Sequence, residues 1–370
     1  SSGVQVEFRG AAEVADELLA MLAAGGPPDV VVLTKSHWLG ELAGAGALVP
    51  LGTETATIVR ENYSSGWQEL ASDAGTLYGV PLDATSKSLV WYRPSALADL
   101  DLEPPETWDE WQELNSSLEA AGLTPLAVPG GEGWPLTDWF ENVLLQSAGR
   151  ENYLKLARRQ LPWTAPRARQ SLERLGDVLR DDWLAGGPRA AASAPMAETV
   201  TAAFDPRRPQ AVMLLGAGWI GPFARSKHPG LVLGRDLDFF PFPAIEPAYE
   251  GSVEASTNIA VALNARPEVT ALLSYLASAD AGRRWVRGGR VVSPNQAVPL
   301  SAYPDALRRR EAEHLMRADA IVPDLSDTVP SDLSAALGRE LQRFLVEPDT
   351  IEAILAELEG VAYRTQGSVR

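Results

Sequence analysis

Short apolar runs and amphipathic stretches alternate along the first fifty residues. Residues 14–24 place apolar side chains on one face of a helix, at Val14, Leu18, Leu19 and Leu22. Residues 30–33 (VVVL) are apolar throughout, as expected of a strand that is buried on both faces. With an alternating, strand-like run at 4–8 and a second helix predicted over 37–45, the order is β–α–β–α. The pattern therefore predicts an α/β fold.

Helix-breaking prolines and glycines separate further predicted helices in the middle of the chain. Thr107 and Glu110 have the spacing of a capping box, in which the threonine hydroxyl and the glutamate carboxylate satisfy backbone N–H groups at a helix start. Another helix is predicted to begin near Trp134, because Pro135 suits a first helical turn. Three tryptophans of these helices are predicted to be buried: Trp108, Trp111 and Trp139.

The glycine-rich stretch 211–221 admits two interpretations. It matches the GxGxxG spacing of a dinucleotide-binding loop, and Asp236 lies at the distance of the carboxylate that binds the ribose. However, Pro222 follows at once, and too few residues precede the next apolar run to form the crossover helix of a βαβ unit. We therefore interpret the stretch as a strand that ends in a glycine turn and presents Trp219 to a flat ligand.

The composition narrows the class of partner. The chain has 32 basic and 49 acidic residues, a net charge of −17, which argues against a nucleic-acid or anionic-membrane surface. It has no cysteine, which excludes disulfides, thiolate zinc sites and cysteine nucleophiles. Its three histidines lack the spacing of a metal site, and no apolar run reaches the length of a membrane span. We expect no catalytic residue, no metal and no cofactor.

Six short motifs carry a resemblance to a known family. They are GPPDV at 26–30, LYGVPLD at 77–83, WY at 91–92, PETWDEW at 105–111, Met213 followed by Gly218-Trp219, and SPN at 293–295. In this order they resemble the extracellular solute-binding proteins of bacterial ABC importers, and among these the sugar-binding group that includes maltose-binding proteins. The similarity spans nearly the whole chain.

The resemblance implies an α/β, two-lobed periplasmic-binding-protein-like fold. Each lobe would be a mostly parallel sheet flanked by helices, and a hinge would join the lobes and close them on a ligand without chemistry. We expect an N-terminal lobe of 1–92 with 250–302 and a C-terminal lobe of 93–249 with 303–370. Family members begin with one more strand and helix, so we expect these elements to be missing from this chain.

The same resemblance implies a carbohydrate ligand, with an α-linked di- or oligosaccharide as the expected class, and an ABC permease as partner. It also implies a monomer located outside the cytoplasm, either periplasmic or a membrane-anchored lipoprotein. Sugars stack their C–H faces on indole rings and pair their hydroxyls with polar side chains. The residues expected to bind the ligand are Trp219, Trp134, Asp83, Lys87, His37, Trp38, Trp67, Glu254 and Asn258.

Two other functions stay open at this point. The first is a binder of a polyol, glycerol phosphate or another osmolyte on the same fold; a phosphate would favour arginines in the site, such as Arg93 or Arg225. The second is a glycoside hydrolase, since aromatic platforms and two carboxylates suffice for that chemistry. The carboxylate pairs that could serve are Glu132 with Asp138 and Asp236 with Asp238.

Overall fold

The computed structural model describes residues 4–10 and 14–366, which form two compact units, each built from two separate segments of the chain. The first unit comprises the described residues up to Thr85 together with Ser256–Arg317. The second comprises Ser86–Ala255 and the described part of Ala318–Arg370. The chain therefore passes from one unit to the other three times.

Helices dominate both units. They are α1 (Val14–Ala23), α2 (His37–Gly44), α3 (Thr53–Asn62), α4 (Ser65–Leu70), α5 (Pro94–Ala98), α6 (Trp108–Ala120), α7 (Trp134–Ala157), α8 (Pro166–Val178), α9 (Gly187–Ser193), α10 (Met196–Ala203), α11 (Ile220–Lys227), α12 (Pro267–Ala277), α13 (Ala279–Val286), α14 (Ala306–Arg317), α15 (Ser331–Val346) and α16 (Ile351–Gln366). The strands are β1 (Val30–Leu33), β2 (Ser72–Asp73), β3 (Thr76–Leu77), β4 (Gly79–Pro81), β5 (Thr85–Ser86), β6 (Leu89–Tyr92), β7 (Met213–Leu215), β8 (Asp238–Pro241), β9 (Ser252–Ser256), β10 (Ile259–Ala262) and β11 (Ala320–Pro323).

The first unit is organised around a small antiparallel sheet. Strand β10 lies between β1 and β4 and pairs with both, so that Val31 faces Val261 and Val80 faces Ala260. Helices α3 and α12 pack against each other in the same unit, where the hydroxyls of Thr55 and Ser274 are 2.7 Å apart. The apolar run at 30–33 is thus a strand, as the sequence predicts.

The second unit contains a sheet in which β6 lies between β7 and β8, and a parallel pair of β9 with β11. Helix α7 packs on α8 and α15 and is buried along most of its length. Beside it, the rings of Trp111 and Trp139 stack with centroids 5.5 Å apart, and Trp108 meets Trp111 edge-on. All three tryptophans are buried, which confirms the prediction for them.

The α/β class is confirmed, but two details differ from the prediction. The sheets were expected to be mostly parallel, yet β10 and β6 pair antiparallel with both of their neighbours. An apolar run predicts burial on two faces but does not determine strand direction. Residues 4–10 do not form the predicted strand, since Val6 and Phe8 are exposed (56% and 85%) and have no core to face.

The expected lobe boundaries, 1–92 with 250–302 and 93–249 with 303–370, stay a prediction. The hydrogen-bonding partners of β6 concern the boundary that was expected after residue 92. Because β6 pairs with β7 and β8, residues 89–92 lie in the same unit as those two strands. The sequence showed a break at Pro94 but not the strand pairing that precedes it.

The capping box at the start of α6 is formed as predicted. The Thr107 hydroxyl accepts from the Glu110 N–H at 3.3 Å, and the Glu110 carboxylate accepts from the Thr107 N–H at 3.0 Å. We expect Thr107→Ala to lower the free energy of unfolding by about 1 kcal/mol. Ser116→Ala, on an exposed turn of the same helix, serves as the control and should change it by less than about 0.5 kcal/mol. Urea unfolding of both variants measures this; equal losses would contradict the capping role.

Candidate ligand-binding site

Two tryptophans lie together on the second unit, each at a helix start. Trp134 is the first residue of α7, and Trp219 immediately precedes α11. Their ring centroids are 6.3 Å apart with an interplanar angle of 51°, and Phe223 meets Trp219 edge-on. Trp134 is half-buried and Trp219 is 36% exposed, which is high for so large an apolar ring. We call Trp134 and Trp219 the aromatic pair.

Glycines bring both rings to these positions. Gly133 caps α7 with φ of 79°, a conformation that favours glycine, and a Cβ there would lie 3.3 Å from the backbone of Gly338. At the other ring, a Cβ on Gly216 would lie 2.8 Å from the side chain of Ile220, so only glycine lets α11 start this close to β7. The aromatic pair is therefore fixed by backbone turns rather than by core packing alone.

The structure supports the interpretation of 211–221 as a strand and a glycine turn. Strand β7 pairs antiparallel with β6, and α11 has only eight residues. The next strand, β8, pairs with β6 and not with β7, so β7 and β8 are not adjacent strands of the sheet. Asp236 forms an ion pair with its neighbour Arg235 at 2.8 Å.

Lys87 contacts the Trp134 ring of the aromatic pair. Its Nζ is 5.1 Å from the centroid of the Trp134 ring, within the range of a cation–π interaction. The same ammonium donates to Asp324 Oδ2 at 2.7 Å and to Asp138 Oδ1 at 3.1 Å. Both carboxylates are almost fully buried, so this is a charge network inside the unit and not a surface ion pair. Lys87 is held in place from its backbone too, because its N–H donates to the Glu254 carbonyl at 2.8 Å.

Further polar groups extend the network along α7. Asn142 Nδ2 donates to Glu254 Oε2 at 2.9 Å and to the Lys87 carbonyl at 3.2 Å. The Glu141 carboxylate accepts from the Tyr153 hydroxyl at 2.9 Å and from the backbone N–H groups of two residues that follow β11, Leu325 and Ser326. We call Lys87, Asp138, Glu141, Asn142, Glu254 and Asp324 the charged cluster.

Burial and charge set the protonation of this cluster. Burial raises the pKa of Asp138 to about 7, although Lys87 opposes the rise. Burial and the neighbouring carboxylates hold the pKa values of Glu141 and Glu254 well above the usual range. For Asp324, burial disfavours the charged form, but Lys87 and the hydrogen bonds from Ser326 and Asp327 bring its pKa below the usual value. Burial also disfavours the charged form of Lys87, but the carboxylates outweigh it and raise its pKa, so the lysine stays charged.

Several acceptors in the cluster accept no hydrogen bond from any described residue. They are Asp138 Oδ2, Glu254 Oε1 and Asn142 Oδ1, and all three are buried. Asp138, Glu254 and Asp324 offer oxygens within 4.8 Å of one another, a set that suits a hard cation in its chemistry. However, the Lys87 ammonium already contacts two of these three carboxylates. The charged cluster can therefore bind protons or a positive charge.

The first unit brings together two other predicted residues. Asp83 accepts from the Asn258 N–H at 2.8 Å and from its Nδ2 at 2.7 Å. Burial raises the pKa of Asp83, and these two hydrogen bonds oppose the rise. The pair spans two segments far apart in sequence, since Asp83 follows β4 and Asn258 precedes β10.

His37 and Trp38 lie in the first turn of α2, soon after β1, and their rings are 5.2 Å apart. Both are half-buried, as a binding role at a strand's carboxyl end would allow. Trp67 differs from the expectation, because only 2% of it is exposed. The first turn of α4 directs this ring into the interior of the first unit. This burial is contrary to the expectation that Trp67 lies at a ligand-binding surface.

The sequence did not single out Glu141, Asn142 and Asp324 of the charged cluster. Asp138, Glu141 and Asn142 are spaced i, i+3 and i+4 on α7, which is the signal of one polar face on an otherwise buried helix. Asp324 gives no such signal, since it stands alone after β11. Among the residues proposed for a hydrolase, Asp138 belongs to the ion-pair network, while the exposed Glu132 accepts from the Met196 N–H at 3.1 Å.

Comparison with known proteins assigns the chain to a family. Residues 2–283 match the family described as bacterial extracellular solute-binding protein. The osmoprotective compounds-binding protein GgtB of Synechocystis is 32% identical over 89% of this chain and 79% of its own length. The alpha-glucosides-binding periplasmic protein AglE of Rhizobium meliloti is 29% identical over 90% of this chain and 75% of its own length.

Solved structures agree in fold. The bacterial solute receptor AcbH superposes with a TM-score of 0.82 at 20% identity, covering 95% of this chain and 88% of the receptor. RafE of Streptococcus pneumoniae gives a TM-score of 0.81 at 15% identity, covering 97% and 89%. Within residues 4–10 and 14–366, every helix is too short or too polar to cross a membrane. The chain belongs to the bacterial extracellular solute-binding proteins, the receptor components of ABC transporters.

Proposed function

We propose that this protein captures a carbohydrate for an ABC permease, and that the aromatic pair stacks the sugar. The single observation that carries the proposal is the geometry of Trp134 and Trp219. The two indole rings lie 6.3 Å apart and are inclined by 51°, and both are accessible in part, Trp219 to 36%. Stacking of sugar C–H faces on such rings, with water displaced, is a favourable use of exposed indole area.

The charge around the aromatic pair favours a neutral ligand. Lys87, whose ammonium lies over the Trp134 ring, is engaged by Asp138 and Asp324, and the carboxylate of Glu254 also acts on it electrostatically. A phosphate would meet more carboxylate than free cation here, which disfavours glycerol phosphate. Of the arginines named for a phosphate site, Arg93 is half-buried and already has the carboxylates of Asp236 and Asp99 as charged neighbours. A neutral sugar or polyol therefore fits better than an anion.

The names of two relatives support two classes of ligand. AglE is named as an alpha-glucosides-binding protein, which fits the α-linked di- or oligosaccharide expected from the sequence. GgtB is named as an osmoprotective compounds-binding protein, and this favours a polyol or other osmolyte as the second candidate. Asp83 with Asn258, and His37 with Trp38, stay predicted ligand contacts in the first unit. The hinge closure implied by the resemblance stays a prediction as well.

The remaining properties are proposals that rest on the resemblance to the family. We propose that the protein acts outside the cytoplasm, as a periplasmic protein or a membrane-anchored lipoprotein, that it works as a monomer, and that it carries out no catalysis. A binding protein needs no reaction step, because release to the permease completes its task. A hydrolase with the same aromatic pair would convert its ligand, so product formation separates the two functions.

A thermal-shift screen tests the proposal. Trehalose, maltose, sucrose and raffinose are compared with sorbitol, glycine betaine and glycerol 3-phosphate at equal concentrations. A sugar present at about 100 times its Kd should stabilise the protein by about 2.7 kcal/mol, which raises Tm by a few degrees. Chromatography of the incubated sugar should show no product. Stabilisation by glycerol 3-phosphate alone, or release of glucose, would contradict the proposal.

A further inference from the structure

Lys87 contacts two side chains that lie one turn apart on α7. Trp134 and Asp138 are at positions i and i+4, and such residues share a helix face. The Lys87 ammonium lies 5.1 Å from the Trp134 ring centroid and 3.1 Å from Asp138 Oδ1. One cation therefore contacts both a ring of the aromatic pair and a buried carboxylate. Movement of the ammonium by a fraction of an ångström changes its distance to both.

The carboxylates decide where this ammonium lies. Asp324 accepts a hydrogen bond from it at 2.7 Å, and Asp138 accepts one at 3.1 Å. The two carboxylates come from segments that lie far apart in the sequence. Asp324 is fixed by the Ser326 hydroxyl at 2.7 Å and by the Asp327 N–H at 3.1 Å. Asp138 has no such additional donors, since its Oδ2 is buried and accepts no hydrogen bond from the described residues. Asp138 is thus the partner whose interaction with Lys87 responds most to a proton.

Every charged neighbour of Asp138 bears on that proton. Lys87 favours the ionised form, while Asp324 and Asp327 favour the protonated form. Glu141 on the same helix and Glu254 on β9 interact with Asp138 as well, and both have pKa values far above the usual range because of burial and neighbouring carboxylates. With burial as the largest cause, the pKa of Asp138 lies at about 7.

We propose that Lys87 and Asp138 are positioning residues for Trp134, and that the affinity of the aromatic pair for its ligand depends on the proton on Asp138. When Asp138 is ionised, Lys87 is held between the two carboxylates and against the ring. When Asp138 is protonated, Lys87 is held by Asp324 alone, and the ring loses part of its support. The affinity aspect rests on the proposed carbohydrate function; the positioning of Trp134 does not.

The sign of the effect follows from linkage. If the ligand binds best to the form with ionised Asp138, binding lowers the pKa of that carboxyl, and the affinity falls as pH decreases through about 7. A pKa shift of one unit on binding changes the affinity by at most about tenfold. We therefore expect Kd to rise by about three- to tenfold between about pH 8 and about pH 6.

Ligand-free protein tests the positioning directly. The tryptophans are labelled as 5-fluorotryptophan, and the fluorine resonance of Trp134 is assigned through its loss in Trp134→Phe. In the native protein this resonance should move with a midpoint at about pH 7, whereas in Asp138→Asn it should stay constant from about pH 5 to about pH 9. Glu132→Gln, which removes an exposed carboxylate two residues before Trp134, should titrate as the native protein does. A constant native resonance, or an unchanged midpoint in Asp138→Asn, would overturn the proposal.

Titration with trehalose and maltose tests the affinity aspect. The native protein should show the pH dependence given above, and Asp138→Asn should bind with the same Kd at about pH 6 and about pH 8. If none of the four sugars of the thermal-shift screen binds at any pH while the Trp134 resonance still titrates, the carbohydrate function fails and the positioning stands. If a sugar binds the native protein with a Kd that does not change with pH, the carbohydrate function stands and the coupling to Asp138 is overturned.

Discussion

Replacing Trp219 by alanine should weaken carbohydrate binding by about ten- to a hundredfold and leave the ligand-free protein nearly as stable as before. The ring is 36% exposed and stands next to a glycine turn, so the fold does not depend on it. Stacking contributes about 0.5–1.5 kcal/mol beyond area burial, and the lost apolar contact adds a comparable amount. Together these correspond to the stated loss of affinity. Sugar titration and ligand-free melting of the same variant measure both parts.

Trp111→Ala is the matched control for this prediction. Trp111 is fully buried and stacks on Trp139, so its removal should lower the free energy of unfolding by about 3–5 kcal/mol. Its folded fraction should keep the native Kd, because the residue lies in the core of the second unit. If Trp219→Ala were as unstable as Trp111→Ala and still bound sugar tightly when folded, Trp219 would be a core residue and not a stacking platform.

Replacing Lys87 by methionine should destabilise the protein by about 3–5 kcal/mol at about pH 8, because it leaves buried carboxylates without their cation. The loss should shrink as the solution is made acidic. Without Lys87 the folded-state pKa values of Asp138 and Asp324 move up, and a carboxyl with a raised pKa stabilises the folded state at low pH and loses that contribution as pH rises. Urea unfolding at about pH 5 and about pH 8 checks this; the same loss at both would show that charge is not the cause.

Asp138→Asn separates the cation from its partner. In the native protein, burial raises the pKa of Asp138 from 3.8 to about 7, so the stability that this group contributes is lost as pH rises from about 4 to about 7. An asparagine of the same shape carries no charge and should remove that slope. At about pH 8 the variant should therefore be at least as stable as the native protein, in contrast to Lys87→Met. A large loss at both pH values would indicate that shape or hydrogen bonding dominates at this position.

Local patterns in the sequence predicted much of the fold. The periodicity over 14–24 indicated α1, the spacing of Thr107 and Glu110 indicated the start of α6, and the glycine turn placed Trp219 at the surface. These features depend on residues close together in the chain. Strand direction does not, so the antiparallel pairing of β6 and β10 could not be read from apolar runs. Burial of Trp67 likewise depends on what packs above α4.

The sequence predicted only part of the candidate site, because its residues come from segments that are distant in the chain. Lys87 and Glu254 could be proposed as single polar residues, but nothing in the sequence joins them to Asp138 or Asp324. Their proximity arises because β9 pairs with β11, and because α7 lies against both segments. The i, i+3, i+4 spacing of Asp138, Glu141 and Asn142 was the one local signal available. A polar stripe on a helix predicted to be buried indicates partners elsewhere in the chain.

The ion pair between Lys87 and Asp324 joins residues 237 positions apart. Ribosomes add roughly 5–20 residues per second, so many seconds separate the synthesis of the lysine from that of its partner. During that interval the second unit lacks β11, α15 and α16, and its buried carboxylates have incomplete partners. Closing so long a loop is slow, and it comes last. The emerging chain should therefore stay incompletely folded in this unit until its final segment is made.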